Sequence, residues 1–369
     1  MRVLYQGLLR SPASWARVGR GYLKAWSGLG IEVSAVSPRG FLYDPAFPIP
    51  PGVRELSPRG AHEATGVPEV GIAFLHPPRL DRVIGRRTAN LFVWESNRVP
   101  PEWVAPLSEQ VDLVVVPSVF TRDALVRSSF PETSVAVVQY GYDPEFVGVG
   151  VRSEPVKGRP FTILAIVTPH YRKGVSELVA GFQRAFRADD DVELRIKSTY
   201  DPIASRRRQT FEIPSWSSLL EEAGGAGGDM PTVRLEVGPV SDSDIAQCLS
   251  SADLLVQPSW GESFGLAILE AHAAGLPAIV TGWGGHVEFV PPGDDQLPFR
   301  LVEEERGLYV PVDGAVVARP DVNALAARLR WHYENRDASR ELGQRAREHV
   351  AHLTWERSAR ELLEVVSRC

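Results

Sequence analysis

Cysteine is nearly missing from this chain, with Cys248 and Cys369 its two examples. That scarcity excludes a disulfide framework and any zinc site built on thiolates. No apolar run reaches the roughly 18–20 residues that a membrane-spanning helix needs. The first residues, Met1 to Tyr5, enter a strand pattern directly and carry no signal-peptide pattern. Net positive charge is lacking too: 40 Lys and Arg face 46 Asp and Glu, a formal balance of −6. No global basic field recommends nucleic acid as a partner. The local clusters at Arg79–Arg87 and Arg206–Arg208 read as solvated loops or phosphate contacts. No His/Asp cluster or Asp-x-Asp strand end suggests a metal. These absences describe a soluble, cytoplasmic protein with no nucleic-acid role.

What is present is ordinary globular material, 44% hydrophobic and 23% charged over 369 residues, a length that suits two domains. Short β-branched runs alternate with amphipathic stretches, the pattern of parallel α/β architecture. The first half offers strands at 2–7, 31–36, 72–76, 89–94, 112–117 and 134–139, with a helix over 15–29. Val147–Pro160, rich in Gly, Pro and charge, reads as a linker. The pattern then restarts, with strands at 161–167, 192–197, 233–237, 254–258, 277–281 and 307–310, and a helix over 175–186. From Asp321 the tail reads as two helices, with Trp355–Val366 crossing back over the first domain. The expected division is 1–150, 151–350 and a crossover helix at 351–369. Two sheets joined by one linker imply a cleft, into which the carboxyl ends of both sets of strands aim their loops.

Chemistry concentrates in Pro258–Pro277, where Glu262 and Glu270 stand eight residues apart around a glycine-bearing turn into a short apolar helix. Gly265 marks the turn, and Gly275 with Pro277 reads as the stop. Glu270 falls among Leu266, Ala267, Ile268, Leu269 and Ala273, where a carboxylate is costly to bury unless something binds it. N–H groups at a helix start form a ready anion site. Together these features suit a ligand with a negative centre at one end and hydroxyls at the other, such as a nucleotide diphosphate sugar. The plainer alternatives are a solvent-facing Glu270 and a loop Glu262 without a partner.

This stretch resembles the Glu-x7-Glu signature of the retaining GT-B glycosyltransferases of family 4. Arg172-Lys173-Gly174 is similar to the family's Lys-Gly turn, Asp112–Ser118 to its strand end, and Gln139–Asp143 to its Pro-x-Gly-Val-Asp turn. Gly238–Val240 and Gly284–Glu288 fall in the family's order. The resemblance implies two doubly wound Rossmann-like domains facing each other across a cleft. It also implies metal-independent, retaining transfer from a UDP- or GDP-linked sugar to a hydroxyl acceptor, which is a glycan, a lipid-linked sugar or a small molecule.

By the same resemblance, Glu270 holds the ribose diol and Glu262 contacts the donor sugar. Backbone around Ser263, Phe264, Gly265 and Leu266 holds sugar and diphosphate, Lys173 neutralises the leaving diphosphate, and Val240 borders the base. The chain departs from the family in places. Val167-Thr168 replaces a Gly-Arg strand end, so either Arg172 or Lys197 supplies the second cation. Pro12–Trp15 replaces a Gly-Gly loop, leaving Ser14 to approach the phosphates less closely than glycine allows. Glu95, in Trp94-Glu95, stands where many relatives have His, close to the reaction centre. Trp15, His76 and Glu95 are the acceptor-side candidates. Arg82, Arg86 and Arg87 suggest peripheral contact with anionic lipid. A nucleotide-sugar epimerase and a non-catalytic scaffold of the same fold remain as alternatives.

Overall fold

Runs such as Leu113–Val116 and Leu254–Gln257 are buried along their whole length, as strands of a parallel sheet covered on both faces must be. The computed structural model describes residues 1–39, 43–57, 60, 66–75, 83–144, 146, 158–198, 216–218, 231–238, 240–304 and 312–369. They form two compact units, Met1–Asp143 with His352–Cys369, and Pro144–Ala351.

In the first unit the order is β1 (Arg2–Gly7), α1 (Ser14–Gly28), β2 (Glu32–Val36), β3 (Arg54–Glu55), β4 (Val70–Phe74) and β5 (Arg87–Leu91). It continues with α2 (Pro101–Gln110), β6 (Leu113–Val116), α3 (Val119–Arg127) and β7 (Val135–Val137). The sheet order is β3-β2-β1-β4-β5-β6-β7, every pair parallel. Strand order therefore reverses between β1 and β4, the switch point of a doubly wound sheet.

The second unit holds β8 (Phe161–Ile166), α4 (Val175–Ala185), β9 (Val192–Ser198), β10 (Thr232–Val237), α5 (Asp242–Ser251) and β11 (Leu254–Gln257). After these come α6 (Leu266–Ala274), β12 (Ala278–Thr281), β13 (Gln296–Leu297), the antiparallel pair β14 (Phe299–Glu303) and β15 (Val316–Pro320), α7 (Val322–Glu334) and α8 (Arg336–Val350). Its parallel sheet runs β10-β9-β8-β11-β12-β13 and switches between β8 and β11. The loops leaving those two strands carry Arg172, Lys173 and Glu262, so the switch point itself positions the candidate site.

The last helix, α9 (Trp355–Ser367), belongs to the first unit. Its apolar face, Ala359, Leu362, Leu363 and Val366, is buried. Tyr22 Oη and Ser358 Oγ share a hydrogen bond of 2.9 Å, and Trp26 Nε1 donates to Ala359 O at 3.0 Å. Both contacts tie α9 to α1.

The tail differs from the two helices expected after Asp321. The stretch breaks at Asn335 (φ −117°, ψ 54°) into α7 and α8. Buried His332 locks the corner, its Nδ1 2.7 Å from Ser339 Oγ and its Nε2 2.9 Å from Asp295 Oδ1. The expected strand at 307–310, His76, Arg82, the 206–208 cluster and most of the 147–160 linker lie outside the described residues.

Candidate functional site

Gly174 and Gly265 set the backbone of the site. Gly174 adopts φ 63°, and a Cβ there would meet Pro258 O at 2.0 Å. Only glycine lets the Lys173 turn lie that close to the end of β11. Gly265 takes φ 87° and ψ 57° and turns the chain into α6, which begins without a side-chain cap among the described residues. Gly275, at φ 82°, ends it. Both glycines act where the spacing placed them.

Within this frame the two loops are stitched together. Trp260 N–H donates to Arg172 O at 2.7 Å, and Arg172 Nη1 donates to Gly261 O at 2.7 Å. Gly285 N–H donates to Glu262 O at 2.7 Å, bringing the Gly284–Gly285 turn after β12 under the same loop. Three donors then converge on one carboxylate oxygen. Glu262 Oε1 lies 2.5 Å from Lys173 Nζ, 2.8 Å from Ser259 Oγ and 3.4 Å from Arg172 Nη1. Oε2 carries none of these contacts. Burial by itself raises the Glu262 carboxyl, which is only 7% exposed. The Lys173 and Arg172 charges, with hydrogen bonds from Lys173 and Ser259, outweigh burial and hold it at about 2. At neutral pH it is an acceptor only.

His286 lies in the short turn Gly285–Glu288, fully buried. Its Nε2 is 2.7 Å from Thr281 O, and a carbonyl can only accept, so Nε2 carries the proton. Burial lowers its pKa, so the ring is neutral near pH 7. The ring feels both Glu262 and Lys173.

Among the predicted site residues, Arg172, Lys173 and Glu262 come together directly. Ser263, Phe264, Gly265 and Leu266 follow Glu262 into α6, the three with side chains buried. Glu270 is the fifth residue of α6 and 2% exposed, so the solvent-facing alternative is wrong. Val240 is buried just before α5. Lys197 lies on β9, 3.8 Å from Glu236 on β10, while Arg172 joins the cluster. In the first unit, Glu95 is buried after β5, Ser14 is exposed at the start of α1, and Trp15 is half-buried beside it. Trp94 is core, packed edge-on against Trp103 at 5.2 Å. Ser259 and His286 carried no assigned role in the sequence, because their contacts are made across loops far apart in the chain. Among the described residues, no group of three or more His, Cys, Asp or Glu is placed to hold a metal ion, and no helix is long and apolar enough to cross a membrane.

Comparison with known proteins bears on this arrangement. Residues 112–362 match the sequence profile described as "Family 4 Glycosyltransferase in conflict systems". The chain is 35% identical over 180 residues to the D-inositol 3-phosphate glycosyltransferase of Nocardioides sp., covering 48% of this chain and 35% of that protein. The Corynebacterium kroppenstedtii protein of the same name is 26% identical over 263 residues, covering 66% of this chain and 52% of its own length. The chain thus spans about a third to a half of these curated relatives. Among solved structures, sucrose-phosphate synthase from Thermosynechococcus elongatus superposes with a TM-score of 0.69 at 19% identity, covering 99% of this chain and 98% of that one. Anabaena HepE in complex with UDP-glucose gives 0.65 at 15% identity, covering 100% of both. These likenesses show the fold, which is GT-B.

Proposed function

The chain belongs to the family 4 glycosyltransferases of conflict systems, and we propose that it moves a sugar, with retention and without a metal, from a UDP- or GDP-linked donor to a hydroxyl acceptor. The observation that carries this reading is the Lys173–Glu262–Arg172 cluster at the switch point of the second sheet, beside the glycine-led start of α6. Lys173 and the N–H groups at that helix start meet the diphosphate, stabilising charge where it develops as the bond to the sugar breaks. Glu262 Oε2 accepts from a hydroxyl of the transferred sugar, while Oε1 stays tied to the protein. Glu270 accepts from the ribose diol. The acceptor oxygen attacks the face from which the diphosphate leaves, and the departing phosphate oxygen takes its proton. Glu95 and Trp15 of the first unit serve the acceptor. HepE, whose structure holds UDP-glucose, supports a uridine donor by analogy.

A thermal-shift panel of UDP, GDP, ADP and dTDP identifies the base, since a ligand that binds only the folded state raises its stability. With the matching donor, Glu270→Ala raises KM about tenfold or more, for the loss of a charge-assisted hydrogen bond worth roughly 1.5–3 kcal/mol. Lys173→Ala lowers kcat/KM. Wild-type kinetics in both variants overturn the assignment. Sugar isomerised by the enzyme without any acceptor reveals an epimerase instead.

A further inference from the structure

We infer that Glu262, besides contacting the sugar, is the internal counter-ion that drives the nucleoside diphosphate off the enzyme by reclaiming Lys173. The inference rests on the donor site proposed above. Its starting point is that the cations proposed to meet the diphosphate are paired with a carboxylate of the protein itself. Glu262 Oε1 is 2.5 Å from Lys173 Nζ and 3.4 Å from Arg172 Nη1, and Ser259 Oγ holds the same oxygen at 2.8 Å. Arg172 Nη1 in turn is fixed on Gly261 O, and Gly285 N–H fixes the Glu262 backbone. The carboxylate cannot swing away when a diphosphate arrives without giving up its Oε1 bonds to Lys173 and Ser259. An incoming phosphate therefore competes with Glu262 for Lys173, in a buried setting where Coulomb forces are weakly screened.

That competition is not equal before and after reaction. Transfer breaks the bond between the anomeric carbon and the terminal phosphate oxygen, and the electron pair stays on that oxygen. The new bond joins the acceptor oxygen to the anomeric carbon. The acceptor proton passes to the phosphate and on to solvent as the terminal phosphate ionises near neutral pH. The product thus carries more negative charge than the donor did. It also lacks the sugar hydroxyl that repays Glu262 in the donor complex. Glu262 consequently disfavours product more than donor, and the ion pair with Lys173 closes again as the nucleotide leaves. A carboxylate serving the sugar alone has no such effect, because a nucleoside diphosphate presents nothing to it.

UDP and GDP titrated calorimetrically into wild type, Glu262→Gln, Lys173→Met and the double variant separate these roles. For whichever nucleotide wild type binds, Glu262→Gln is expected to bind at least tenfold more tightly, and Lys173→Met more weakly. In the Lys173→Met background, Glu262→Gln gains threefold or less. Equal or weaker binding by Glu262→Gln overturns the inference while leaving the donor site standing. A full tenfold gain without Lys173 overturns the role of that residue as the group reclaimed. Wild type that binds neither nucleotide overturns the donor site itself, and the inference with it. If Glu262→Gln does not fold, Glu262→Asp takes its place: it keeps the charge but withdraws it by one methylene, and threefold tighter binding is expected. Unchanged affinity there overturns the inference.

Discussion

His272 lies in the last turn of α6 and is buried, and that burial holds its imidazole at about 4, against 6.5 for the free group. Asp295 pulls the value up, while His349 and His286 push it further down. Between pH 6.5 and 4 the unfolded chain binds a proton here that the folded chain refuses, so stability falls as the pH drops through that window. Below about 4 both states are protonated and the contribution is constant. The full swing is about 3 kcal/mol, and His286, also lowered, acts in the same direction. Glu262 is depressed instead, so its contribution is present above 4.5 and is lost as the pH falls from there towards 2. The two windows are therefore separable. His272→Met, of similar volume, is expected to lose about 2 kcal/mol less than wild type between neutral pH and about pH 5, read from urea midpoints. An equally steep decline in the variant shows that this imidazole is not held neutral by burial.

At the scale of the element, glycines decide where loops may touch. Gly174 and Gly158 both take positive φ, 63° and 81°, but a Cβ on Gly174 meets Pro258 O at 2.0 Å and one on Gly158 meets nothing within 4 Å. Gly158→Ala is expected to cost about 1 kcal/mol, the backbone strain alone. Gly174→Ala is expected to cost about 3 kcal/mol or more in urea unfolding, because strain and steric exclusion add. It also weakens nucleotide binding by displacing Lys173, an effect that Gly158→Ala lacks. Equal costs for the two variants remove the close approach as the reason for Gly174. This contrast shows what the sequence reveals and what it hides. Gly265 and Gly275 are legible because helix punctuation is local. Glu262 and Glu270 are legible because one stands just before that helix and the other inside it, a fixed eight residues apart. That Arg172, and not Lys197, joins the Glu262 cluster is not legible, since it turns on contacts from 172 to 260–262, nearly ninety residues away. His286 is hidden for the same reason. The break at Asn335 is equally silent: no Gly or Pro marks it, and the His332–Ser339 contact across it shows only in three dimensions.

At the scale of the whole molecule, the chain returns in α9 to complete the first unit. Trp355 starts that helix, its ring centroid 5.2 Å from Tyr22 and 6.0 Å from Tyr140. Gly21 and Gly141 make room for it, since a Cβ on Gly21 would meet the indole ring at 2.4 Å and one on Gly141 would meet Trp355 N at 2.1 Å. Ser358 Oγ then donates to Gln139 O at 2.6 Å, so two points along α9 fasten it to the turn after β7. The alternating pattern reveals two sheets, and the apolar face of α9 announces a helix that must be covered. The fit against Gly21 and Gly141 depends on residues more than two hundred positions away and has no sequence signature. The first unit therefore depends on 18 residues that follow the second in the chain, while the Lys173–Glu262 cluster lies wholly in Pro144–Ala351. Trp355→Ala is expected to lower the stability of the first unit by about 3 kcal/mol, the usual cost of removing a packed Trp ring. Nucleotide stabilises only the state that binds it, so in calorimetry the transition raised by UDP or GDP marks the second unit. The variant should lower the other transition and leave nucleotide affinity within about twofold of wild type. A variant that lowers the nucleotide-sensitive transition by the same amount shows that the two units unfold as one, and that the return helix serves both.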